Sequence, residues 1–188
     1  YNGYNKMPSK IQYCYAHLLR TVKDLEKDFP ENAEIKSFVE ALTPQLANAI
    51  SLRTLDITDK QFERQAAKIK DAIIEITNRQ AKHPAIWKIQ DIFREKADRL
   101  YHWADDRNIP ADNNLAEREL RPLVIARKIS FGSQSIAGAS TRETLMTVLH
   151  TLKKRVPDVT AAFKFALDRL VEQADLDLAK VLFNLNSS

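Results

Sequence analysis

A mainly α fold follows from three features of the sequence. Only 3 of the 188 residues are Gly, so the tight turns that a hairpin-rich sheet needs are scarce. Apolar residues recur at helical spacing through several long segments. Helix-opening signatures stand ahead of such segments, as in Thr58-Asp59-Lys60-Gln61 and Ser140-Thr141-Arg142-Glu143, where a hydroxyl and a side chain three residues on can satisfy free backbone N–H groups reciprocally. One strand is expected beside the helices, at residues 10–15, where Lys10-Ile11-Gln12-Tyr13-Cys14-Tyr15 begins by alternating polar and apolar side chains.

Taken in order, residues 1–9 read as a loop. From His17 the period changes, and Leu18, Val22 and Leu25 suit a helix ending near Phe29-Pro30. Between Glu31 and Leu52 one face carries Ile35, Phe38, Val39, Leu42, Leu46, Ala49 and Ile50, with Pro44 expected to kink or divide the segment. Behind the Thr58 box, Phe62, Ala66, Ile69, Ile73 and Ile76 form a stripe reaching about Arg79. Pro84 sits where a first helical residue would. Its helix is expected to run on through Ile86, Ile89, Phe93, Ala97 and Leu100 to Tyr101 or Trp103. Residues 25–106 thus read as an antiparallel helical bundle with short links.

After the Ile109-Pro110 break comes a helix at about 113–128, in which Pro122 should cause a bend or an end. A glycine-bearing loop, 131–139, precedes the helix expected at the Ser140 box. Asp158 caps a further helix with Ala162, Phe163, Ala166, Leu167 and Leu170 inward, and an amphipathic segment spans 175–185.

Apolar residues make up 44% of the chain, enough for a core, and charged residues 29%. The net charge of +4 is mildly basic, compatible with a nucleic-acid partner without demanding one. The single cysteine, Cys14, excludes an internal disulfide and fits a reducing cytoplasm. No apolar run nears the ~20 residues that a membrane helix needs. Walker, nucleophile-elbow and dinucleotide motifs are absent.

The stretch with the most chemistry is Asp112-Asn113-Asn114-Leu115-Ala116-Glu117-Arg118-Glu119-Leu120-Arg121-Pro122. Its amides suit a helix start. On a regular helix Asn113, Glu117 and Arg121 share one face. A carboxylate among amides and guanidinium groups suits either a divalent metal beside a phosphate backbone or a plain i,i+4 ion pair, Glu117 with Arg121. Arg118, Arg121, Arg127 and Lys128, with Arg142 further on, are candidate phosphate contacts. Lys153-Lys154-Arg155 reads more simply as the solvated end of a helix. Cys14-Tyr15-Ala16-His17 supplies two potential zinc ligands where a structural site needs four; the plainer reading is a half-buried thiol near a hydrogen-bonded imidazole. The loop 131–139 is either a phosphate cradle ahead of a helix or a connector. Trp87 and Trp103 read as core.

Together these pieces resemble the transposases of the insertion-sequence-sixty-six family, a bacterial and archaeal group of acidic-triad (Asp-Asp-Glu) enzymes with an RNase H-like catalytic fold. The resemblance opens with Tyr1-Asn2-Gly3-Tyr4-Asn5, continues with Cys14-Tyr15-Ala16-His17-Leu18-Leu19-Arg20, and is strongest over Asp112–Arg118, Leu120-Arg121-Pro122 and Arg127-Lys128. It carries on through Phe131, Ser133 and Gly138. Tyr15 stands where the family usually has Trp, and Leu19 where it usually has Arg.

The resemblance implies that Glu117 is the third acid of the triad and a ligand of Mg²⁺ (or Mn²⁺), with both aspartates upstream of Tyr1. It implies a C-terminal fragment of a DNA transposase, inactive alone. Residues 1–24 would hold a remnant strand and the start of a helix from the catalytic fold, 25–106 a helical insertion, and 107–188 the glutamate helix with the C-terminal helices. Asn113, Asn114, Cys14 and His17 would support the site. DNA and a second copy of the chain are the expected partners; self-association would cover apolar surface left by a missing sheet. The rival reading is a catalytically inactive helical module, derived from a transposase, that binds DNA or protein.

Overall fold

The structure, a computed structural model, describes residues 10–130 and 132–183. The Tyr1–Asn5 motif, Phe131 and residues 184–188 lie outside them. All regular structure among the described residues is helical. The chain divides into two compact units, Tyr1–Glu119 and Leu120–Ser188.

The first unit begins with α1 (Tyr15–Asp28), α2 (Ala33–Leu52), α3 (Asp59–Asn78) and α4 (Pro84–Glu95). Their starts follow local chemistry. The Asn32 side chain accepts the Ile35 N–H, and Thr58 and Gln61 complete the capping box. Pro84 opens α4 behind His83, whose Nδ1 accepts the Ala85 N–H. Consecutive helices pack in series: α1 on α2, α2 on α3, α3 on α4. One core joins Tyr15, Leu18 and Val22 of α1 to Ile35, Leu42 and Leu46 of α2, Ile73 of α3, Ile86 of α4, and on to Trp103 and Ala111.

Four expectations about the first unit need correction. Residues 10–14 form no strand, and helix begins at Tyr15. The segment is extended at Cys14, but the carbonyls it meets belong to turns: Tyr13 N–H donates to Arg99 and Tyr15 N–H to Ala111. A strand needs a partner strand, and helical turns cannot supply one. Second, α4 stops at Glu95. A 3₁₀ turn (Ala97–Arg99) and the short α5 (His102–Asp105) carry on, so Leu100 and Trp103 are buried as the pattern requires but on a different backbone path. Third, Trp87 is no core residue; it is 45% exposed. Fourth, Pro44 does not divide α2, which runs through it as a single helix.

Helix α6 (Asn114–Ile129) likewise runs through Pro122 unbroken, and none of its residues is buried. Its first turns belong to the first unit and the remainder to the second. At its end Gly132 adopts φ 93°, a left-handed conformation that other residues rarely take, and its N–H returns to the Arg127 carbonyl.

The second unit continues with α7 (Ile136–Lys153), α8 (Val159–Glu172) and α9 (Leu178–Phe183). The Ser140 box does not open α7. Ser135 does, accepting the Gly138 N–H at 3.0 Å, and Ser140 and Glu143 lie inside the helix, where their carbonyls accept the hydroxyls of Thr144 and Thr147. Asp158 caps α8 as expected. The core here is small: Leu152, Ala166 and Leu182, with Val148 and Phe163 against them. Leu167, expected inward, is 54% exposed. No helix among the described residues is long and apolar enough to cross a membrane.

Candidate functional site

The site is built at the junction of two chain segments far apart in sequence. Gln12 spans the turn before α5: its Nε2 donates to the Leu100 carbonyl, and its Oε1 accepts the Trp103 N–H. Tyr15, fully buried, stacks edge to face on Trp103 with ring centroids 5.7 Å apart. The Tyr15 N–H then donates to the Ala111 carbonyl at 2.8 Å. These bonds fix the start of α1 against the residues just ahead of α6.

From there each helix projects one functional group. His17 lies two residues into α1 and Glu117 three residues into α6. Their side chains meet with Nε2 3.6 Å from Oε1, and both are about half exposed, at 55% and 51%. The start of α6 is organised by Asp112, whose carboxylate accepts both the backbone N–H and the side-chain amide of Asn114. Asn113 contributes its carbonyl to the Glu117 N–H at 2.9 Å. Glu117 is thus held on the first turn of a helix, where a carboxylate complements the N-terminal dipole.

The other candidates occupy simpler positions. Cys14 is half-buried at the head of α1, where its carbonyl accepts the His17 N–H at 3.2 Å. Arg118, Arg121, Arg127 and Lys128 are all exposed along α6, and Asn113 and Asn114 are exposed at its start. Arg142 is half-buried on α7 and donates to the Gly132 carbonyl at 3.2 Å, so it braces the turn after α6. Among the described residues no three His, Cys, Asp or Glu side chains converge as a metal site. Mg²⁺ wants several hard oxygen ligands, and Glu117 offers a single carboxylate beside an imidazole. These residues alone do not fit a Mg²⁺ site, nor do Cys14 and His17 fit a zinc site.

Two features escaped the sequence reading. One is Gln12 with Ala111, the anchors that bring α1 and α6 together. The other is Arg107, which donates to the carbonyls of Ile57 and Leu55 and to the Asp59 carboxylate, and lies 5.4 Å over the Phe62 ring. Both depend on partners tens of residues away, which no local pattern encodes.

A curated relative is the uncharacterized protein y4jD of Sinorhizobium fredii (strain NBRC 101917 / NGR234), 26% identical over 175 residues. The match covers 89% of this chain and 34% of that protein, so the chain spans about a third of its length. No solved structure matches. The family model described as Transposase IS66 family matches residues 1–141, taking in α1 to α6 with both His17 and Glu117. The chain belongs to the IS66 family of transposases.

Proposed function

We propose that these residues are the C-terminal part of a DNA transposase that cleaves and joins DNA strands, with Glu117 as the third carboxylate of an Asp-Asp-Glu metal site. The observation that carries this reading is the placement of Glu117: a solvent-accessible carboxylate on the first turn of α6, inside the Asp112–Arg118 run, braced beside His17 by the Tyr15–Ala111 bond. On this reading the two aspartates come from chain outside these 188 residues and from an RNase H-like sheet. That accords with a relative about three times as long.

Divalent metal held by Glu117 together with the two aspartates from outside these residues would supply Lewis-acid chemistry for phosphodiester cleavage and joining. This chain's part is to present Glu117 as a hard oxygen ligand from the first turn of α6. His17 lies beside the carboxylate, and Asp112 with Asn113 and Asn114 organises the helix start. Arg118, Arg121, Arg127 and Lys128 lie open to DNA phosphates, while Cys14 and Arg142 have supporting places at the head of α1 and in the turn after α6. The helices between α1 and α6 are an insertion within the catalytic fold.

A second reading, an inactive DNA-binding or protein-interaction module, draws support from apolar side chains left open: Leu115, Val124 and Ile129 on α6, at 64%, 61% and 73% exposure. Such surface also favours self-association. The test is strand cleavage of element-end DNA in Mg²⁺ by the full-length protein, with and without Glu117→Gln. The catalytic reading expects the substitution to abolish cleavage while DNA binding persists. The second expects DNA affinity that ignores the metal if the module binds DNA, and no DNA affinity at moderate salt if it binds protein.

A further inference from the structure

The first unit contains a polar pocket of about 450 Å³ lined by the end of α3, the link after it and one side of α4 from Trp87 to Arg94. Its wall includes Trp87, one of two tryptophans in the chain. Tryptophan is a residue that folded proteins mostly cover, and Trp103 is only 1% exposed, yet Trp87 is 45% exposed. Its indole N–H donates to the Ala81 carbonyl at 2.7 Å. The ring's polar edge is therefore satisfied within the protein and its orientation is fixed. What remains open is aromatic surface.

Beside it, Gln90 is only 5% exposed. Its Nε2 donates to the Arg79 carbonyl at 2.7 Å, so the side chain is anchored in the pocket wall. Asn78 adds a second amide to the wall. Two guanidinium groups flank these, Arg79 and Arg94. Each pairs with a carboxylate of its own helix, Arg79 with Glu75 at 2.8 Å and Arg94 with Asp91 at 2.7 Å. All four side chains are more than half exposed. Surface pairs of this kind hold weakly and can exchange for a phosphate, which a guanidinium grips in a bidentate way.

A fixed aromatic ring, hydrogen-bonding amides and two exchangeable cations around one concavity match the chemistry of an unpaired nucleotide. A base in a duplex is stacked and paired, and cannot offer its face to Trp87. We propose that this pocket takes an unpaired base of single-stranded DNA, stacked on Trp87, its edge met by Gln90 and Asn78 and its flanking phosphates by Arg79 and Arg94. The choice of a DNA strand over a free nucleotide rests on the transposase reading; the pocket chemistry does not.

The test is Trp emission of the 188-residue chain titrated with an oligothymidylate, an abasic backbone of equal length, thymidine monophosphate, and the matching duplex. Labelled strands followed by anisotropy report total binding. Trp103 is buried and supplies a constant background, measured in Trp87→Phe. The oligothymidylate should quench Trp87 saturably, the abasic strand should not, and Trp87→Ala should weaken single-strand binding roughly tenfold, the effect of losing one base–aromatic stack. Trp87→Phe, which keeps a stacking face without the bond to Ala81, should retain most of the affinity. Unchanged emission, equal quenching by the abasic strand, full affinity in Trp87→Ala, or monophosphate binding as tightly as the strand each overturns the proposal. Duplex anisotropy that rises while single strands leave Trp87 untouched overturns it too, and leaves the transposase reading standing. Failure of every DNA to bind overturns the pocket proposal, whereas the transposase reading stands or falls on strand cleavage by the full-length protein.

Discussion

His17 Nε2 lies 3.6 Å from Glu117 Oε1, although the two residues belong to helices at opposite ends of the first unit's sequence. The contact is set by backbone, through the bond from Tyr15 N–H to the Ala111 carbonyl, and not by the strength of the pair itself. With both side chains about half exposed, water screens most of the attraction. The pair is a matter of placement, and the stability of the fold lies in the residues beneath it.

Replacing Glu117 with Gln, or His17 with Ala, should therefore change the unfolding free energy of the 188-residue chain by less than about 1 kcal/mol. Urea titration of each variant followed by far-UV circular dichroism measures this. A loss of several kcal/mol would assign the pair a structural role and weaken the functional one.

Tyr15 should behave in the opposite way. Tyr15→Ala removes a fully buried ring and should cost about 3–5 kcal/mol. Tyr15→Phe should be neutral or gain about 1 kcal/mol, because the Tyr15 hydroxyl is buried with no hydrogen-bond partner. Burial pushes that hydroxyl far above its ordinary value of 10.0. Burial likewise pushes Tyr101 up to about 12. Both groups stay protonated in the fold at a pH where the unfolded chain ionises them. Their contribution is thus complete below pH 10 and is lost as pH rises from there through the folded values. Alkaline unfolding should set in above pH 10, and Tyr15→Phe should move it upward. Unfolding midpoints recorded along a pH series would show whether it does.

If the exposed cations of α6 contact DNA phosphates, affinity should fall steeply with salt. Each of Arg118→Ala, Arg121→Ala, Arg127→Ala and Lys128→Ala should flatten the log–log salt slope by about 0.9. Anisotropy of a labelled duplex across a salt series reads the slope directly. A variant whose slope matches the parent makes no phosphate contact. Arg142→Ala should act through the Gly132 turn instead, lowering stability more than the slope.

The start of α7 offers a sharper local test. Ser135→Ala removes the cap on Gly138 N–H and should cost about 1 kcal/mol. Ser140→Ala, inside an exposed stretch of the helix, should cost almost nothing, since Ala favours helix interiors. Denaturant midpoints for the two variants decide between a helix opening at Ile136 and one opening after Ser140.

These residues also show what the sequence made legible. The stripes of α2 and α3, the caps at Thr58 and Asp158 and the helix start at Pro84 were readable because each depends on neighbours within a turn or two. Residues 10–15 misled because an extended segment lying across helical turns shows the same alternation as a strand. Leu100 and Trp103 fell in the expected core, but a 3₁₀ turn delivered them, and burial patterns do not distinguish that path from a continued α4. Trp87 misled because it adjoins Ile86 in sequence while pointing to another side of the helix. Of the site, the Asp112–Arg118 run was visible as local chemistry. The approach of His17 to Glu117 was not, because it passes through Gln12, Tyr15, Trp103 and Ala111, which share no local spacing.

The assignment of Glu117 is tested most directly by strand cleavage in the full-length protein. Glu117→Gln keeps the size and removes the charge, and His17→Ala removes the neighbour while keeping the carboxylate. Measured in Mg²⁺ at saturating DNA, Glu117→Gln should lower the cleavage rate by about 10²-fold or more, the scale of losing one preorganised electrostatic contact. Duplex binding should be unchanged, and His17→Ala should have a smaller effect. Cleavage by Glu117→Gln at the parent rate would contradict the account.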